Sequence, residues 1–254
     1  LIIRMLKSGI MEDGLVHATE EGTPQGSILS PLLSNIYLHY VLDLWFRHRV
    51  RKQCRGEAEY FRFADDFLAC FQYKDDATRF RRELGERLEQ FGLKLAEDKT
   101  HCIEFGRYAR ENARKRGEKP KEFTFLGFTH YCGKTKEGHF KVKRRTSPKK
   151  LGQSLSKFKG WAKKSRSVLS KGEMIRAARI RVIGHLNYYA ITDNAQQCSN
   201  YVYRATHILF KWLNRKSQRK AYTSAQFYEA LSLLDWPIVT IRKDLNPCRR
   251  AEAY

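Results

Sequence analysis

Between residues 29 and 44 apolar side chains return every three or four positions: Leu29, Leu32, Leu33, Ile36, Tyr37, Tyr40, Val41 and Leu44. That period predicts a helix with one broad buried face. Ser30 can cap it, and Pro31 suits the first helical position, where a missing N–H costs nothing. The opening stretch 1–10, "LIIRMLKSGI", also has a helical pattern. Further on the period changes. "EYFRF" (59–63) and "FLACF" (67–71) are short aromatic runs that read as strands, with "ADD" as the tight connection of a hairpin. Helical spacing returns over 74–93 with a stripe of Ala77, Phe80, Leu84, Leu88 and Phe91, a cap at Asp75 or Asp76, and Gly92 as the stop. Residues 93–105 read as strand, turn and strand. Residues 106–122 lack an apolar face and read as a basic loop. "FTFLGFTHYCG" (123–133) and "HFKVKRR" (139–145) suggest a second hairpin.

From Ser147 onward the pattern is helical. Leu151, Leu155, Phe158 and Ala162 fall on one side of a helix whose other sides carry lysines, and 173–190 and 196–216 continue in the same manner. The expected organisation is α+β: antiparallel strands with packed helices over 1–145, then an all-helical basic region over 146–254. No internal repeat is present.

Charge sharpens this division. The 254-residue chain has a formal net charge of +22. Residues 1–100 hold 15 lysines and arginines against 16 acids, so the whole excess lies beyond them, at 34 against 11. Such asymmetry points to a long polyanion, most often nucleic acid. Lys149, Lys150, Lys157, Lys159, Lys163 and Lys164 surround the first basic helix, and Arg176, Arg179 and Arg181 lie in the next. Tyr188, Tyr189, Tyr201, Tyr203 and Trp212 interleave with basic residues; at helical spacing they read as core more than as stacking platforms.

No run of about 18 apolar residues is present, so no membrane span is expected. The six cysteines are scattered without any CxxC, and most read as small buried hydrophobes in a reducing cytosol. His130, Cys132 and His139 lie close together but match no standard zinc spacing.

The chemistry concentrates at Asp65 and Asp66. Adjacent acids in a turn are ordinary, and helix capping accounts for Asp75 and Asp76. At 65–66, however, the flanking strands are expected to be largely buried, and two carboxylates there need a cation. Magnesium prefers carboxylate together with phosphate oxygen, so the pair suits two-metal phosphoryl transfer. "GTPQG" (22–26) adds a second element. Gly22 and Gly26 permit close backbone approach, Pro24 stiffens the loop, Gln25 offers donor and acceptor, and a helix N-terminus follows.

In order, "GTPQGSILSPLLSNIYL", "FRFADDFLACF", "FGLKLAEDKT" and "FTFLGF" resemble the palm of a reverse transcriptase of the bacterial group II intron maturase type. "IGHLNYYA" and "FKWLNRKSQRK" resemble its thumb helices, so the likeness covers the whole chain. The resemblance implies an RNA-directed DNA polymerase with a partial palm over 1–145 and a basic helical thumb over 146–254. It makes Asp65 and Asp66 magnesium ligands, with Phe63 in the aromatic place before them. It sets Gly22, Thr23, Pro24, Gln25 and Gly26 beside the templating base and incoming nucleotide. Lys99 matches a lysine that protonates pyrophosphate, although a surface cation at a turn is an equal reading. Phe125, Leu126, Gly127 and Phe128 match a primer grip. Lys149, Lys150, Lys157, Lys163, Lys164, Arg176 and Arg179 would contact nucleic acid. Implied partners are template or intron RNA, a DNA primer and deoxynucleoside triphosphates, in the cytoplasm.

The family also uses a further aspartate on an apolar strand upstream of the glycine loop. Here Glu12, Asp13, Glu20 and Glu21 lie in a polar turn instead. The chain begins with Leu1 and not Met, so it is expected to be an incomplete fragment, inactive by itself. A non-catalytic RNA-binding splicing cofactor remains the competing reading, and a reverse transcriptase tied to antiviral defence or spacer acquisition a weaker one.

Overall fold

The computed structural model describes residues 10–12, 15–17, 30–215 and 221–245. The glycine loop 22–26 lies outside the described residues, as does Cys248. The chain divides into two compact units, residues 1–103 and 104–254. The charge divides at the same place, because residues 101–103 carry none: −1 in the first unit and +23 in the second.

In the first unit, β1 (Ile10–Glu12) pairs antiparallel with β2 (Leu15–His17). Ile10 and Glu12 therefore belong to a strand, where a helix and a polar turn were expected. Helix α1 (Ser30–Leu38) runs on without a break through π-helical turns at His39–Asp43 and Phe46–Val50 to Arg51–Gln53. The wider turns, bonding i to i+5, shift the inward face. Val41, Leu42, Phe46 and Val50 are buried, while Leu32, Ile36, Tyr37 and Tyr40 of the expected buried face are exposed. Arg87 Nε donates to the Val41 carbonyl at 3.2 Å, so this π-turn oxygen is bonded from another helix.

The hairpin β3 (Ala58–Phe63) and β4 (Asp66–Phe71) packs its Ala58, Tyr60, Phe67, Ala69 and Phe71 side against α1 and α2 (Lys74–Gln90). Phe46 stacks on Tyr60 at 5.0 Å and meets Phe80 edge-on at 5.7 Å. Phe80, Leu84 and Leu88 of the expected α2 stripe are buried. Gly92 ends α2 at φ 67°, which glycine adopts freely, while Leu93 N–H reaches the Leu88 carbonyl at 2.9 Å.

Two details differ from expectation. Neither Asp75 nor Asp76 caps α2: the N-cap is Tyr73, and both acids lie in the first turn. Asp76, 2% exposed, accepts from Arg55 N–H and Arg79 Nη2, each at 3.0 Å, and so clamps the preceding loop. Residues 93–105 form no strand; Leu93 and Leu95 pack on the core from an irregular turn-rich segment. Among the described residues no strand pairs with this segment, and alternating apolar residues alone are not enough for a ladder.

The second unit opens with α3 (Ala109–Lys115), within the stretch expected to be a loop. Its apolar face is only Ala109 and Ala113, both buried, too small a stripe to register as amphipathic. Strands β5 (Phe123–Phe125), β6 (Phe128–Lys134) and β7 (Phe140–Thr146) form one antiparallel sheet. Helices α4 (Pro148–Ser165), α5 (Lys171–Tyr189), α6 (Ala195–Leu213) and α7 (Ser224–Leu233) enclose the larger core. Ser147 caps α4, and Leu151, Leu155, Phe158 and Ala162 are its buried residues, as the spacing predicts. Ser170 with Glu173 and Thr223 with Gln226 make reciprocal capping boxes for α5 and α7.

The expected junction at 145–146 falls inside this unit. Fully buried Asn194 accepts from Thr146 N–H at 2.7 Å and donates to Thr146 Oγ1 and the Tyr189 carbonyl, each at 2.8 Å. Among the described residues no helix is long and apolar enough to cross a membrane.

Candidate active site

The β3–β4 register sets the first site. Phe63 pairs with Asp66, which leaves Ala64 and Asp65 as a two-residue turn. Ala64 has φ 53°, the left-handed region where glycine is usual, so the tip carries local backbone strain. Strand alternation then sorts the side chains. Ala58, Tyr60 and Arg62 face the core, while Glu59, Phe61 and Phe63 face away. Asp66, opposite Phe63, shares that outer face with Phe61 and Leu68.

Asp65 and Asp66 are both exposed. The expectation of carboxylates held between largely buried strands is corrected here: only one face of each strand is covered, Asp65 lies in the turn and Asp66 on the uncovered face. Exposure removes burial as the reason for a bound cation, but the donor set still suits one. Neither acid forms an ion pair among the described residues, in a chain of net charge +22. Phe61 and Phe63 beside them are 53% and 64% exposed, an uncovered aromatic strip. Two adjacent acceptor-only side chains suit a hard divalent ion that also takes phosphate oxygen. Among the described residues no third histidine, cysteine or acid joins them to complete a metal set.

What positions this tip is Arg62, which was not singled out from the sequence. Its Nε and Nη2 bond Asp43 Oδ1 and Oδ2, each at 2.7 Å. Its Nη1 donates to Asn35 Oδ1 and to the carbonyl of Ala64, each at 2.9 Å. One guanidinium therefore ties the strained turn to α1. Burial alone would raise the Asp43 pKa; hydrogen bonds from Arg62 and His39 outweigh it and hold the carboxyl below its usual range. A signal for this existed. Arg62 occupies a core-facing position in a period-2 strand, and Asp43 is the one acid between residues 22 and 56.

Lys99 is exposed on a turn in which its N–H reaches the Ala96 carbonyl at 3.0 Å.

In the second unit the turn Leu126–Gly127 links β5 to β6, with φ of 49° and 81°. Two successive positive values are the primed hairpin geometry, and they explain the glycine. A Cβ on Gly127 would also come within 3.0 Å of Tyr189 Oη. The tip is fastened to the helices: Tyr188 Oη donates to the Leu126 carbonyl at 2.8 Å, Ser147 N–H to the Gly127 carbonyl at 3.0 Å, and Phe128 stacks on Tyr188 at 5.6 Å. The four residues expected at a primer grip, Phe125 to Phe128, thus form one anchored turn.

Lys149, Lys150, Lys157, Lys163 and Lys164 are all exposed, as is Arg176. Arg179 is half-buried, and its Nε donates to the Asp235 carbonyl at 2.8 Å, an internal tie. Tyr201 and Trp212 are buried core residues, whereas Tyr188 and Tyr203 are 51% and 64% exposed. Cys132 and Cys198 are buried, but Cys70 and Cys102 are exposed, against the expectation for most cysteines.

Comparison with known proteins bears on what these sites serve. The pattern of the family described as Reverse transcriptase (RNA-dependent DNA polymerase) matches residues 2–130. The Group II intron-encoded protein LtrA of Lactococcus lactis subsp. cremoris is 25% identical over 286 residues, covering 85% of this chain and 47% of that protein. Protein YkfC of Escherichia coli (strain K12) is 31% identical over 127 residues, covering 39% of this chain and 33% of that protein. The chain spans about half the length of the first of these relatives and a third of the second.

Proposed function

We propose, from the premise that this chain belongs to the reverse transcriptase (RNA-dependent DNA polymerase) family, that it is the palm and thumb portion of a group II intron reverse transcriptase and maturase. The observation that carries this reading is the pair of exposed carboxylates, without an ion-pair partner among the described residues, on a strained turn fixed by Arg62 and flanked by a bare aromatic strip. In this reading Asp65 and Asp66 hold magnesium, and 1–145 and 146–254 act as palm and thumb. Bound metal would lower the pKa of the primer hydroxyl and steady the departing pyrophosphate.

The protein groups divide the remaining work. Phe63 and Phe61 offer a flat apolar surface to the sugar and base beside the acids. The Leu126–Gly127 turn presents its backbone to the primer end. Gly22, Thr23, Pro24, Gln25 and Gly26 contact the templating base and incoming nucleotide. Lys99 supplies a proton to pyrophosphate. Lys149, Lys150, Lys157, Lys163, Lys164 and Arg176 neutralise phosphates along the hybrid or intron RNA. Among the described residues two carboxylates fall short of a full two-metal set, so the 254-residue chain alone is expected to bind RNA without extending a primer.

The test is primer extension on an RNA template, using this chain fused behind the N-terminal polymerase segment of a group II intron-encoded protein. Asp65→Ala and Asp66→Ala should each abolish extension and leave RNA affinity within about twofold. Extension that survives either substitution refutes the metal assignment.

A further inference from the structure

The second unit contains a cavity of 470 Å³ between the start of α3 and the far end of the β6–β7 hairpin. That volume suits a ligand the size of one nucleotide. Arg107, Tyr108 and Arg110 line one wall, and Lys134, His139 and Phe140 the other. Glu111 also lines the cavity but pairs with Lys115 at 3.0 Å, while Glu104 and Glu118 pair with Arg116 at 2.8 Å and 3.2 Å. Arg107, Arg110 and Lys134 are exposed, and among the described residues none has a carboxylate within ion-pair distance. Tyr108 is 66% exposed beside Ala109 at 4%, so its ring is displayed while its neighbour is packed.

The two walls are joined. Gly106 N–H donates to Cys132 Sγ and Cys132 Sγ–H to the Gly106 carbonyl, both at 3.4 Å, and Phe105 meets Phe123 edge-on at 4.9 Å. A fixed, acid-poor basic cleft with a displayed aromatic ring has the chemistry that holds an unpaired nucleotide. Guanidinium groups take phosphate oxygens in bidentate fashion, and the ring takes a base of any identity. A surface kept only for solubility would need neither the concavity nor the ring.

We propose that this cavity is a second contact for single-stranded nucleic acid, with one phosphate held among Arg107, Arg110 and Lys134 and its base stacked on Tyr108. The proposal rests on the nucleic-acid reading of the basic unit but assigns residues outside the metal-bearing hairpin and the thumb lysines.

The experiment uses the full 254-residue chain and a decameric uridine RNA with one 4-thiouridine. Binding is followed by fluorescence anisotropy across a salt series, and photocrosslinked peptides are identified by mass spectrometry. Arg107→Gln with Arg110→Gln should reduce the log–log salt slope by about 0.7, the share of the one phosphate contact they hold. Lys119→Gln with Lys121→Gln removes the same charge outside the cavity and should leave the slope nearly unchanged. Tyr108→Ala should weaken binding at least fivefold and Tyr108→Phe hardly at all, given about 1–3 kcal/mol per stacked base. The crosslink should map to Tyr108 or its neighbours. If wild-type chain binds but the two double variants behave alike, or the crosslinks lie elsewhere, the cavity assignment is overturned alone. If the wild-type chain does not bind the RNA, the nucleic-acid reading falls with it.

Discussion

Replacing Arg62 by Met keeps the aliphatic stem but removes the guanidinium that joins Asp43, Asn35 and the Ala64 carbonyl. The Arg62 and Asp43 side chains are 11% and 27% exposed, so water replaces little of what is lost. Truncating one member of such a hydrogen-bonded pair strands the other charge and costs about 3 kcal/mol. At about 1.4 kcal/mol per decade this corresponds to roughly hundredfold faster exchange of the amides over 58–71, where the protected state is the intact hairpin. Hydrogen exchange read by mass spectrometry checks this, with the α6 peptide as an unaffected internal reference. Asp43→Leu combined with Arg62→Met removes both charges and should recover at least about 1.5 kcal/mol relative to the sum of the single effects. The pair also carries a pH signature. The folded pKa of Asp43 is depressed, so its contribution is present above the unfolded value of about 3.9 and is lost as the pH falls through the lower folded value. Unchanged exchange in Arg62→Met, or strict additivity in the double variant, would refute the claim that this arginine positions the turn.

His185 and Asn194 give two further outcomes. His185 stacks on Tyr201 at 3.5 Å with its Nε2 unpartnered, and burial pushes its pKa down to about 4. Because the unfolded state then binds the proton more readily, stability should fall as pH drops from about 6.5 to about 4, by at most about 3 kcal/mol. Urea unfolding of His185→Phe against wild type should show this component removed; parallel pH profiles for the two proteins would contradict it. Asn194→Ala leaves Thr146 N–H and the Tyr189 carbonyl without their partner, at a cost of about 3 kcal/mol. The thermal midpoint of the second unit should drop by roughly 6–12 °C in calorimetry, and a change under about 2 °C would show that water replaces the amide.

What was legible in the chain depended on how local the determining interaction is. The α4 helix was readable because its cap, its Pro148 and its four buried residues all lie within one segment. The β3–β4 and β6–β7 hairpins were readable for the same reason, their strands being contiguous, whereas the break of 123–133 into β5 and β6 at Leu126–Gly127 was not. Burial was harder. Tyr37 and Tyr40 satisfy the helical period yet stay exposed, because two π-turns redirect the face that meets α2 and β3. The Asp76 clamp and the Arg62 tie join residues 19 to 21 positions apart, and no spacing rule within one element encodes them. Helix α3 was missed because its buried face consists of only two alanines.

The Leu126–Gly127 turn has no freedom of its own: Tyr188 grips one carbonyl and the residue that caps α4 grips the next. Tip and helices therefore share one mechanical fate. Any displacement of α5 must drag the turn along, like a pawl mounted on the lever that moves it.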